Sequence, residues 1–166
     1  MTSRHVLFLC TGNSARSVLA EALLAHHGGE RFVSSSAGSQ PKGAVHPVAL
    51  ETLERHGLPT TGFRSKSWDE FGAPGAAPID IVITVCDSAA NETCPVWPGH
   101  PSAAHWGIPD PAAETSSPEN QRRAFERAYQ TLDARIRLLV ALPIEKFDAL
   151  TVPRELRRIA EREPPR

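Results

Sequence analysis

Little in this sequence points to a membrane, a nucleic acid or a disulfide framework. Its first apolar run, Val6 to Cys10, is too short for a signal-peptide core, and no later run approaches the about 20 residues of a membrane span. Neither sign of charge is in excess. Eighteen Lys and Arg against nineteen Asp and Glu leave a net charge of −1, so no basic field argues for nucleic acid or an anionic lipid surface. Cysteine is scarce and odd in number, with Cys10, Cys86 and Cys94 and no secretory signal to accompany them. A structural disulfide framework is not expected in that setting. The cytoplasm is the expected address, and the thiols are candidates for catalytic, redox or metal roles rather than only small buried fillers.

What is present suits one ordinary globular domain: 166 residues, 40% apolar and 22% charged. His5 to Cys10 reads as a short buried strand ending in the turn-like Thr11-Gly12-Asn13-Ser14. Ala15 to His27 carries Val18, Leu19, Ala22, Leu23 and Ala25 at helical spacing, and Gly28-Gly29 ends it. Arg31 to Ser35 predicts a second strand. Pro47 opens a second helix, closed by Gly57 and Pro59. Ile79 to Cys86 is rich in β-branched residues and predicts a third buried strand; Ala103 to Trp106 predicts a fourth. Ser117, an N-cap followed by Pro118, starts a long helix to about Leu142 with Phe125, Ala128, Leu132, Ile136 and Leu139 on one face. Pro153 begins a charged, exposed helix in the tail. Strands alternating with helices predict an α/β domain with a four-stranded parallel sheet flanked by helices in three layers. The expected division is a domain over 1–143 and a charged helical extension over 144–166.

The segment Cys10-Thr11-Gly12-Asn13-Ser14-Ala15-Arg16-Ser17 stands at the first strand-to-helix junction. A loop entering a helix N-terminus turns several backbone N–H groups toward one point, and the helix dipole adds partial positive charge there. A tetrahedral dianion fits such a nest. The same field favours thiolate over thiol, so Cys10 is expected to titrate below an ordinary cysteine. Arg16 can bring its planar guanidinium back to the rim and grip two oxyanion oxygens, and Ser17 can donate a hydrogen bond to the sulfur.

Cys-x5-Arg-Ser at such a junction resembles the loop of the low-molecular-weight protein tyrosine phosphatases and of the arsenate reductases that share their fold. Ser34-Ser35-Ser36-Ala37-Gly38 and Asp110-Pro111 recur at corresponding places, so the resemblance covers His5 to about Leu142. It implies the flavodoxin-like strand order of that fold, with residues 11–17 binding the substrate and Asp110 acting as general acid.

The two activities share their first step and part at the second. A phosphatase hydrolyses its thiophosphate with water. A reductase needs another thiol to attack the sulfur of the arsenic adduct. In open parallel sheets, functional groups collect beyond the carboxyl ends of strands, and Cys10 and Cys86 both occupy such ends. If their strands are neighbours, the two thiols meet. Cys94 lies in a polar, proline-punctuated segment that can move, and a Cys86–Cys94 bond needs Cα atoms within about 4.4–6.8 Å. Val85-Cys86-Asp87, Cys94-Pro95, His105-Trp106-Gly107 and Asp110-Pro111-Ala112 together resemble the three-cysteine arsenate reductases.

That resemblance implies a Cys10, Cys86, Cys94 relay on arsenate, with phosphate or sulfate as mimics, and thioredoxin or glutaredoxin as reductant. The tyrosine phosphatases usually carry tyrosine after the aspartate-proline pair, whereas Ala112 and Ala113 stand here and the one tyrosine, Tyr129, falls within a helix. The phosphatase is the alternative activity. A third reading, an arsenite or metal sensor using the three cysteines with His100 or His105, lacks any Cys-x2-Cys or Cys-x4-Cys spacing. Ala15 stands where many relatives have cysteine, outside the nucleophile relay, and the interval from Cys86 to Cys94 is slightly longer than usual. Some relatives bind potassium near residues matching Asn13, Glu21 and Ser36. No carboxylate is evident around Ser65-Lys66-Ser67, so Lys66 is expected in the ion's place, with no metal and no cofactor.

Overall fold

A computed structural model describes residues 3–86, 97 and 99–162. Four strands, β1 (Arg4–Leu9), β2 (Phe32–Ala37), β3 (Ile81–Thr84) and β4 (Ser102–His105), form one parallel sheet in the order β2-β1-β3-β4. The helices are α1 (Arg16–Gly28), α2 (Pro47–Arg55), α3 (Asp69–Gly72), α4 (Pro118–Ala141) and α5 (Thr151–Glu161). The α/β class, the four parallel strands and the order all agree with the sequence reading. The single turn of α3 and the short 3-10 turns at Gly29–Arg31, Pro111–Ala113 and Ile144–Lys146 were unforeseen, because three or four residues are too few to show a helical period.

β1 lies at the centre, and Val6, Leu7, Phe8 and Leu9 are buried on both faces. This is why it reads as a continuous apolar run rather than an alternating one. Val6, Phe8, Ile81 and Ile83 face one way and pack with Leu19 and Leu23 of α1 and Phe125, Leu132 and Ile136 of α4. Leu7, Leu9 and Val82 face the other way, against Trp68, Phe71 and Trp97. Local chemistry sets the helix ends. Ser117 Oγ accepts from Asn120 N (3.0 Å) ahead of Pro118, and His46 Nδ1 accepts from Val48 N (3.1 Å) ahead of Pro47. Arg31 donates to the carbonyls of Val140 (2.7 Å) and Leu142 (3.0 Å) and so ties the end of α4 to the start of β2.

The tail differs from expectation. α5 is charged on one side only, and it buries Leu156 and Ile159 in the main core. Trp106, fully buried after β4, donates Nε1–H to the Leu156 carbonyl at 2.9 Å. An indole N–H taken out of water needs such a partner, so the helix covers a real obligation of the core. Leu156→Ala is therefore expected to destabilise the protein by about 2–5 kcal/mol, the range for a buried leucine. Urea unfolding checks this; a change under about 0.5 kcal/mol, the size of a surface substitution, would make α5 an appendage.

Candidate active site

The site lies beyond the carboxyl end of the sheet. β1 has β2 on one side and β3 on the other, so chains leaving β1 and β3 diverge around a crevice. Leu9 pairs with Thr84, and Val85 N donates to Leu9 O at 2.9 Å. The register therefore brings Cys10 and Cys86 together despite their separation in sequence. Both are thiols and nearly enclosed, at 5% and 2% relative exposure. Their side chains are close neighbours, and Cys86 Sγ accepts from Thr11 N at 3.3 Å.

The Cys10–Ser17 loop is held from several sides. Asn13 adopts a left-handed conformation (φ 42°) and is fully buried. Its Nδ2 donates to Ser17 Oγ (2.8 Å) and Ser36 Oγ (2.9 Å), and its Oδ1 accepts from Lys66 N (2.9 Å). Gly38 leaves no room for a side chain, because an added Cβ would lie 2.6 Å from Cys10 O and closer still to Thr11 O. The loop's outer carbonyls are taken by Gln40 N on Thr11 O (3.0 Å) and Lys42 N on Gly12 O (2.9 Å). With those carbonyls turned outward, α1 begins at Arg16 without a side-chain cap. Its first N–H groups then have no intrahelical acceptor and suit an anion.

A cavity of about 460 Å³ is lined by Cys10, Gly12, Ser14, Ala15, Arg16, Lys42, Asp110 and neighbouring loop residues. Arg16 Nη1 donates to Ile108 O (3.0 Å), and Nη2 stands 3.9 Å from Asp110 Oδ2. Its Nε is buried without a protein partner among the described residues, the kind of donor that an oxyanion satisfies. Asp110 Oδ1 accepts from Ala112 N (3.0 Å), which leaves Oδ2 toward the guanidinium. Thus Cys10, Thr11, Gly12, Ser14, Ala15, Arg16 and Asp110 line one pocket, whereas Asn13, Ser17 and Cys86 are buried and do not line it. Cys94 lies outside the described residues.

Two expectations at this site need correcting. Cys10 does not titrate below an ordinary thiol in this arrangement. The hydrogen bond with the Cys86 side chain and burial push it up, outweighing Arg16 and the Gly12 N–H, which pull it down. The helix field is present, but a second buried thiol at contact distance is the stronger neighbour. Ser17, expected to donate to the sulfur, accepts from Asn13 Nδ2 at 2.8 Å, and no hydrogen bond from it to Cys10 Sγ is formed among the described residues.

Beneath the loop, Glu21 Oε1 accepts from Ser36 Oγ (2.5 Å) and stands 3.9 Å from Lys66 Nζ. Burial raises the Glu21 carboxyl and lowers the Lys66 ammonium; each draws the other back. Asn13, Glu21 and Ser36 are thus engaged with each other and with Lys66, and this donor set does not fit a potassium ion. Among the described residues no group of three or more His, Cys, Asp or Glu is placed to hold a metal ion. Tyr129 is buried on α4 with its ring stacked on His56 at 3.9 Å, away from the pocket lining, while Ala112 lines it.

The comparisons with known proteins agree with this geometry. The family model for low molecular weight phosphotyrosine protein phosphatase matches residues 5–149. The arsenate reductase of Bacillus licheniformis is 34% identical over 137 residues, 82% of this chain and 95% of that protein. Among solved structures, an arsenate reductase in the phosphate binding state superposes with a TM-score of 0.65 at 26% identity, over 83% of this chain and 97% of that one. A thioredoxin-dependent arsenate reductase of Corynebacterium glutamicum gives 0.59 at 28% identity, over 82% of this chain and 60% of that longer one. The chain belongs to the low-molecular-weight phosphotyrosine protein phosphatase family, whose fold also carries these reductases. No helix among the described residues is long and apolar enough to cross a membrane.

Because the neighbouring thiol is the first cause of the raised Cys10 titration, Cys86→Ala should move it down, giving more thiolate and faster alkylation at neutral pH. Iodoacetamide labelling of the Cys10 peptide across pH, read by mass spectrometry, checks this. A midpoint that stays put or rises would contradict the assigned cause.

Proposed function

We propose that this protein reduces arsenate to arsenite through a three-thiol relay. The observation that carries the reading is the contact between Cys10 in the oxyanion loop and Cys86 at the end of the adjacent strand. Hydrolysis of a phosphomonoester has no use for a second buried thiol there, whereas transfer of two electrons to arsenic requires one.

Arsenate monohydrogen dianion enters the loop, with its oxygens held by backbone N–H groups and Arg16. The Cys10 sulfur attacks arsenic, and the As–O bond opposite it breaks. The raised thiol fits this substrate, since the thiol proton and the arsenate hydroxyl leave together as water and total charge is unchanged. Asp110, beside Arg16, is the group that relays that proton. Cys86 then attacks the Cys10 sulfur. The S–As bond breaks with its electron pair passing to arsenic, which falls from As(V) to As(III), and arsenite takes up protons from solvent as the Cys10–Cys86 disulfide forms. Cys94 attacks Cys86, releases Cys10, and leaves a Cys86–Cys94 disulfide for a cytoplasmic dithiol protein of the thioredoxin kind to reduce. Support for that partner is the thioredoxin dependence of the Corynebacterium relative; glutaredoxin is the alternative reductant.

The order of the relay makes its variants unequal. Cys94→Ser should release one arsenite per chain and then stop as a Cys10–Cys86 disulfide, even with thioredoxin, its reductase and NADPH present. Cys86→Ser should stop earlier, at the Cys10 adduct, with little arsenite, and Cys10→Ser should be inert. Repeated turnover by Cys94→Ser at the wild-type rate would replace the relay with direct attack by an external thiol.

A further inference from the structure

Arg16 is the cation expected in the oxyanion pocket, but a second one stands at its mouth. Lys42 N donates to the Gly12 carbonyl at 2.9 Å, which fixes the start of its side chain over the loop. The aliphatic stem then crosses Gly12 closely: a Cβ built on Gly12 would lie 3.1 Å from Lys42 Cε, 3.3 Å from Cγ and 3.5 Å from Cδ. Lys42 lines the same cavity as Cys10, Arg16 and Asp110. Its ammonium has no hydrogen bond or ion pair among the described residues, unlike Lys66, whose Nζ bonds to Arg64 O and faces Glu21.

The strap that carries Lys42 is itself anchored. Gln40 N donates to Thr11 O, Ser65 Oγ to Gly12 O (3.2 Å), and Gly43 N to Ser65 Oγ (3.1 Å). A lysine on a tethered strap, with its stem against the loop and no carboxylate partner among the described residues, is a different object from a lysine on a free surface. Its charge is held near the rim by packing rather than by a salt bridge.

We propose that Lys42 is a specificity-determining residue that selects a free, doubly ionised inorganic oxyanion over an ester of it. The inner oxygens of a bound tetrahedral anion meet the loop N–H groups and Arg16. The remaining oxygen, opposite the Cys10 sulfur, faces the mouth. In an inorganic dianion that oxygen is small, and the Lys42 ammonium can approach it. In an aryl ester the same oxygen bears a carbon group, which must push the stem off Gly12 and separate the ammonium from the charge. Lys42 thus strengthens one ligand class and obstructs the other, which is how a selective site is built. The inference rests on the oxyanion pocket and deepens the arsenate reading by giving its substrate class a structural cause.

The test uses the full-length reduced protein and inorganic phosphate as the probe, by calorimetry at two salt concentrations. It is joined by arsenate reduction with the thioredoxin system and hydrolysis of p-nitrophenyl phosphate. Lys42→Met keeps an apolar stem over Gly12 and removes the charge. It should weaken phosphate binding about fivefold, the size expected of a partly solvated charge acting on a dianion, and flatten the salt dependence. Lys42→Ala should weaken phosphate similarly and also raise kcat/KM for the aryl phosphate relative to Lys42→Met, because the stem no longer obstructs the mouth. Lys42→Arg should bind phosphate within about twofold of wild type, the size of a lost weak contact. Phosphate binding by Lys42→Met within twofold of wild type, with an unchanged salt slope, would overturn the proposal. Loss of arsenate reduction by the wild type, with the phosphate result as expected, would instead overturn the reductase reading and leave Lys42 as the selector.

Discussion

The site depends on the register between two neighbouring parallel strands. Leu9 sits opposite Thr84, so the first residue past β1 and the second past β3 are both cysteines leaving the sheet at the same edge. Everything else is arranged around that pairing. Asn13 in its left-handed turn, Gly38 pressed against two loop carbonyls, and the strap over residues 40–43 all serve to turn N–H groups inward from a loop whose first residue is one of those thiols. Arg16 links this loop to the next strand's exit by donating to Ile108 O beside Asp110. A slip of one residue between β1 and β3 would send one thiol to the opposite face of the sheet and leave a phosphatase-like pocket with no electron donor.

Burial works against both kinds of charge at this site. It disfavours a thiolate on Cys10, and it leaves the Arg16 Nε without a partner among the described residues. A dianionic substrate answers both, by satisfying the guanidinium and by accepting the thiol proton on its way out as water. Below the loop, Glu21 and Lys66 form a largely enclosed pair whose ammonium belongs to the chain itself. That pair, through Ser36 and Asn13, braces the loop from underneath, and charge in this second layer is fixed by folding.

Much of this was legible in the sequence because it is local. The β1 run, the loop motif and α1 are contiguous, and their chemistry follows from a strand-to-helix junction. The N-cap at Ser117 and the helix start at Pro47 were likewise readable from adjacent residues; the His46 side-chain cap was not. The meeting of Cys10 with Cys86 could be framed only as a condition on strand order. What eluded the sequence was set by partners distant along the chain. The helix field predicted a lowered Cys10, but the opposing influence sits 76 positions away. The buried face of α5 was present as Leu156 and Ile159, three apart, yet the surrounding arginines and glutamates concealed it. Nothing in the sequence singles out Lys42; its closeness to Gly12 comes from a backbone bond no local pattern announces.

The central claim is that arsenic receives its electrons from Cys10 and Cys86 in that order. The most direct measurement mixes stoichiometric arsenate with the fully reduced wild-type chain in the absence of any external reductant. Samples are quenched in acid over time, and arsenite, free thiols and disulfides are mapped by mass spectrometry. The account predicts one arsenite and two thiols lost per chain, with a Cys10–Cys86 disulfide at early times giving way to Cys86–Cys94. Arsenite release with Cys86 still a thiol throughout, or no arsenite from a chain that hydrolyses aryl phosphate catalytically, would contradict it.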